Sequence, residues 1–261
     1  MDNIMDMVWI ELRKATRSVM PLSTGIGFLM IPLACSVLML IYKDPEFARS
    51  AGIISAKANL IGGTADWPTY MYMLSQATAI GGIILFSLVE TWIFGREFVD
   101  GTMKDLMAVP IQRSNIVLAK FITTLIWSCG LIVEMFIISI ALGVIIGLPQ
   151  GTTDVVLKGS LTLAETSFMV MIAVMPVAYF ASIGRGYFLA IGFAIIALAT
   201  GNLLMIMGWG YLYPWAVPAL FADVTKRSSD LIPASYLILA ATGMVGVIST
   251  VNWWHIADQH R

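Results

Sequence analysis

A bundle of membrane-crossing helices is the fold class that this sequence predicts, on three observations. Hydrophobic residues make up 59% of the chain and charged residues 12%, with a mean hydropathy of +0.86, whereas a soluble domain carries about 25% charge. Six runs of near 20 residues contain no Lys, Arg or Asp, and at about 1.5 Å per residue each can cross a hydrocarbon core of roughly 30 Å. These runs are continuously apolar, whereas a membrane barrel needs alternating segments of about ten residues. The apolar excess is more than one core of 261 residues can enclose, so much of it must face lipid. The net charge of -1 gives no sign of nucleic-acid binding.

The first 20 residues predict an amphipathic helix along the membrane surface. Ile4, Val8, Leu12, Ala15 and Val19 recur at helical spacing opposite Glu11, Lys14 and Ser18, and Trp9 with three basic residues suits the headgroup region. Charges interleaved with its hydrophobes argue against a signal peptide, so the segment is expected to stay on the mature protein. Pro21 is expected to break the chain before the first span. A single transmembrane domain over 1–261 then has spans at 22–42, 69–94, 121–148, 161–183, 187–207 and 233–252.

An even number of spans puts both termini on one side. If that side is the cytoplasm, nine basic residues lie inside: Arg13, Lys14, Arg17, Arg96, Lys104, Arg113, Lys120, Arg185 and Arg261. Six lie outside: Lys43, Arg49, Lys57, Lys158, Lys226 and Arg227. The bias agrees with a multi-pass protein of the cell membrane with cytoplasmic termini.

The segment 96–120, REFVDGTMKDLMAVPIQRSNIVLAK, is too short and too charged to span, yet it carries helix signals. Asp100 and Gly101 suit a turn, Thr102 can cap the amide of Asp105, and Pro110 stops the helix after about two turns. Ser114 can cap the third span. On composition alone this is a solvated connection between two membrane helices.

These residues resemble the cytoplasmic motif of the type-2 permease family of ATP-binding-cassette exporters. The motif is carried by Glu97, Gly101, Thr102, Leu106, Pro110 and Arg113, with Met103 and Met107 where the family usually has Leu. The layout is also similar, and YPWAVPAL at 213–220 looks like the corresponding stretch of bacitracin and lantibiotic export permeases. The resemblance implies that the segment is a coupling helix, docking on a separate ATPase through Met103, Leu106 and Met107, with charges at Lys104 and Asp105. It also implies that ATP and magnesium bind on that partner, and that two permease halves pair, identical or related. No GxxxxGK[ST] occurs in the chain, so it holds no phosphate-cradling loop of that kind.

Glu134 sits near the middle of the third run, where a charged side chain costs roughly 2.5–3.5 kcal/mol, so it is expected to face the protein interior. It is a candidate for the substrate path; a hydrogen-bonded packing residue is the other reading. Glu90 and Glu165 are read as solvated rim residues about one turn inside their spans. Gly143 and Gly147 form a GxxxG pair suited to close helix approach. Cys35 and Cys129 read as small hydrophobes, and His255 and His260 lack the further ligands of a metal site. Trp67, Tyr70, Tyr72, Trp209, Tyr211, Tyr213 and Trp215 are expected to form a headgroup belt.

The function that follows is the permease subunit of an ATP-driven exporter, not an enzyme, moving an amphipathic or hydrophobic cargo such as a peptide antibiotic or drug. An ion-coupled secondary transporter and an intramembrane enzyme are the alternatives. The three acids lie at different expected depths and no HExxH or GxSxG occurs, which argues against the enzyme.

Overall fold

The computed structural model describes residues 4–44, 64–108, 110–222 and 231–256, and every regular element among them is helical. Helices α1 (Ile4–Thr16), α2 (Met20–Lys43), α3 (Trp67–Val99), α4 (Met103–Ala108) and α5 (Arg113–Ile146) form the first half. The second half holds α6 (Thr153–Val174), α7 (Val177–Ile183), α8 (Phe188–Ile206), a 3-10 turn (Gly210–Leu212), α9 (Val217–Ala222) and α10 (Pro233–Ile256). With α6 and α7 taken as one interrupted helix, six helices are long and apolar enough to cross a bilayer. Each expected run coincides with one of them, and the chain is an all-helical, multi-pass membrane protein. The connection around Lys57 lies outside the described residues, as do Lys226, Arg227, His260 and Arg261.

Three of the helices run well past an end of the expected span. The second continues to Val99, the third starts at Arg113, and the fourth starts at Thr153. A charged residue ends a hydrocarbon count but not a helix, because the backbone ladder continues wherever side chains can reach water or a counter-charge. Lys158 and Asp154 show this, pairing at 2.9 Å one turn apart on α6.

Local chemistry sets the ends. Asp66 caps α3 by accepting the Thr69 amide at 2.8 Å and the Thr64 hydroxyl, with proline in the first turn. Desolvation opposes ionisation of Asp66, but the hydrogen bonds from Thr64 and Thr69 outweigh it and hold the carboxyl below its ordinary range. Pro21 also lies in a first turn, that of α2. The break expected at Pro21 falls earlier, at 17–19, because proline's missing amide is harmless at a helix start. Pro176, lacking an amide donor, separates α6 from α7.

Gly147 is left-handed (φ 67°) beyond α5, and the Leu148 amide returns to the Gly143 carbonyl at 3.2 Å, a Schellman closure. Gly147 therefore lies beyond the helix, and of the GxxxG pair Gly143 alone serves close approach. Gly143 makes room for the Trp67 indole, since a Cβ there would lie 2.5 Å from the ring.

Helix α3 is the hub, packing against α2, α5, α6, α7 and α8. Phe28, Phe86, Phe94, Tyr70, Met39 and Met135 are buried around it. Apolar residues such as Phe188, Ile196, Ile206, Leu237 and Met244 point outward from α8 and α10, the surface a lipid-facing bundle requires. The expected aromatic belt is largely not a belt. Trp67 and Tyr70 are buried, Tyr213 and Trp215 pack against each other and Trp215 against Phe193, and only Trp209 of that set is strongly exposed. Their neighbours are Gly143, Ser36 and the α9 segment, which offer slots and hydrogen-bond partners inside the fold.

Candidate functional site

Glu11, Lys14, Glu97 and Lys120 converge at the end of the bundle where α1 lies and where α3 gives way to α4 and α5. Helix α1 buries Met7, Val8, Glu11 and Ala15 on one face, packed against α5 and α2. Its expected apolar residues Val8 and Ala15 are there, but Glu11 lies on the buried face, contrary to its expected place opposite them. The reason is a counter-charge. Lys120 of α5 is 0% exposed, and its ammonium donates to Glu97 of α3 at 2.8 Å, to Glu11 at 3.4 Å and to the Ile93 carbonyl at 2.8 Å.

Lys14 closes the square, at 2.7 Å from Glu11 and 3.3 Å from Glu97. Two cations and two carboxylates from three helices thus cancel locally. Taking Glu11, Glu97 and Lys120 out of water is costly, so such a set persists only where the geometry satisfies every member, and Lys14 stays partly exposed at its edge. Beside it, Arg96 pairs with Asp100 at 3.1 Å and lies 4.9 Å over the Trp92 ring.

An open cleft of about 420 Å³ adjoins the square, its walls including Ile10, Lys14, Asp100, Thr102, Leu106 and Ile111. Gly101 (φ 70°) turns the chain into the six-residue α4. Met103 is buried, while Leu106 and Met107 are half-buried against the bundle's own core. The apolar face expected to meet a partner is therefore covered in part by this chain, with Leu106 left on the wall of the cleft. The exposed face carries Gly101, Thr102, Lys104, Asp105, Ala108 and Pro110.

Thr102 contributes its carbonyl, accepting the Leu106 amide at 3.1 Å; its exposed hydroxyl makes no bond to Asp105 among the described residues. Helix α5 begins at Arg113 behind Gln112, so Ser114 lies inside the helix rather than capping it. Arg113 donates to the carbonyls of Trp254 and His255 at 3.2 and 3.3 Å, a cation at the end of α10.

Glu97, Gly101, Thr102, Met103, Leu106, Met107, Pro110 and Arg113 thus share one end of the molecule. Glu134 is remote from them on α5 and half-buried, its carboxylate in the seam with α2, where a Cβ on Gly25 would lie 3.3 Å from it. It turns toward α2, the direction an interior-facing acid requires, and is half-buried there, with Gly25 making room for its carboxylate. Glu90 departs from its rim reading. With α3 continuing to Val99 it lies more than two turns in and is 1% exposed. Glu165 is exposed on α6. Reading residues singly missed Glu11, Lys14 and Lys120 as one unit. The available signal was Lys120 itself, a lysine between Ala119 and Phe121 at a span end that needs a buried counter-charge.

A family model described as ABC-2 family transporter protein matches residues 7–201, well over half of the chain. A bacitracin transport permease of Bacillus licheniformis is 23% identical over 180 residues, covering 69% of this chain and 86% of the relative. An uncharacterized protein of Bacillus subtilis is 29% identical over 179 residues, covering 62% of this chain and 56% of that relative.

Proposed function

The chain belongs to the ABC-2 family of transporter proteins, and on that premise we propose that it exports an amphipathic or hydrophobic cargo, a peptide antibiotic or drug, out of the cytoplasm or the membrane. It is a transport subunit of an ABC exporter and not an enzyme; ATP hydrolysis belongs to a separate subunit. The reading places both termini and α4 on the cytoplasmic side of the cell membrane, with ATP and magnesium on the ATPase. A second permease, the same chain or a related one, completes the assembly within the lipid. The cargo class rests on similarity to the bacitracin permease and on walls with few charges.

The observation that carries the coupling role is α4, a short helix anchored through Met103 to an ion-paired bundle end while Lys104 and Asp105 stay exposed. Affinity purification from native membranes tests the assembly. An ATPase subunit and a second permease should accompany the chain; its recovery as a lone protomer in intact nanodiscs overturns the reading.

Glu134 is proposed to line the substrate path, since its carboxylate is the acid that opens onto the α2–α5 seam. Glu134→Gln keeps shape and removes charge, and is expected to reduce transport with melting unchanged. Normal transport at every pH tested leaves only a packing role.

A further inference from the structure

Glu90 is buried in α3 with both carboxylate oxygens lacking a hydrogen-bond partner among the described residues. Seven buried side-chain atoms share that condition there, and five of them belong to Ser87, Glu90, Thr91 and Thr123. Ser87, Glu90 and Thr91 stand at i, i+3 and i+4 on one face of α3. Thr123 reaches the same level from α5. Lys120 donates to the Ile93 carbonyl and Phe121 packs on Phe94, so one turn further along α5 meets one turn back along α3.

A hydroxyl inside a helix ordinarily donates to the carbonyl one turn before it. Ser75, Thr124, Ser139, Ser167, Ser182 and Thr250 all do so here, at 2.7 to 3.0 Å. Ser87, Thr91 and Thr123 do not. Nor does a side-chain cation answer Glu90: Lys120 and Lys14 pair with Glu11 and Glu97, and Arg96 pairs through Nε with Asp100 and lies over Trp92, while its Nη1, itself without a partner among the described residues, makes no bond to Glu90. Dry burial of such a set is costly.

We propose that Ser87, Glu90, Thr91 and Thr123 enclose an internal water site, a hydrated joint between α3 and α5 just inside the ion-paired end. Water both donates and accepts, so it serves a carboxyl group and hydroxyls together, which no single side chain nearby does. With no direct hydrogen bond among them in the described residues, bridging water is the species that joins them.

The test turns on a sign. In a dry site, Thr123→Val removes an orphaned hydroxyl at constant shape and leaves melting unchanged or raises it. In a hydrated site it strips a partner from bound water and lowers the melting temperature of the purified protein in nanodiscs by roughly 2–4 °C. Ser87→Ala should do the same, and the pair should be non-additive because the two hydroxyls share the same water across two helices. An unchanged or raised melting temperature with Thr123→Val, or strict additivity, overturns the proposal. So does stabilisation by sodium over choline that disappears in Glu90→Gln, since that marks a bound cation in place of water.

Discussion

Replacing Lys120 with Met is expected to cost about 3–5 kcal/mol of folding stability, because it leaves Glu11 and Glu97 buried opposite each other with Lys14 as their remaining cation. Lys14 is partly exposed, so its compensation is screened and weak. Thermal unfolding in nanodiscs should show a fall of roughly 6–20 °C. The triple variant Lys120→Met, Glu97→Gln, Glu11→Gln removes the imbalance and should recover much of it. A single variant that melts like the parent protein would show that the square is a loose surface feature.

The second large effect concerns coupling. Reversing both exposed charges of α4, with Lys104→Glu and Asp105→Lys, should weaken capture of the ATPase subunit about tenfold or more, an effect of order 1–2 kcal/mol. Melting should stay put, since neither side chain is buried. Leu106→Asp is a poorer probe than the sequence motif suggests, because half-buried Leu106 packs on the permease core and its loss mixes folding with docking. If the double reversal leaves ATPase capture and transport-stimulated hydrolysis unchanged, α4 is not the docking element.

The six spans were legible because lipid imposes a length and a composition that can be counted without knowing any contact. The turn at Gly101 and the short helix after it were legible because both are local events. What stayed hidden depends on partners far along the chain. Glu11 reads as a polar-face residue until Lys120 is known to lie beneath it, and Glu90 reads as a rim residue until α3 is seen to continue two turns beyond it. Helix ends were misplaced for a related reason, since charges at 96, 97, 113 and 120 look like loop until their partners are found, counter-charges for three of them and the end of α10 for Arg113.

The order in which the square is completed has a consequence for biogenesis. Lys120 follows Glu97 by 23 residues and Glu11 by 109, so during synthesis both acids emerge before the buried cation between them exists. A nascent chain that has delivered only two spans holds Lys14 as the one basic member of the set, and its acids must wait at the interface beside water. Emergence of the third span is then the step that commits the amino-terminal helix to the bundle. A ribosome stalled before Lys120 would leave an intermediate for membrane quality control to recognise by its uncompensated acids.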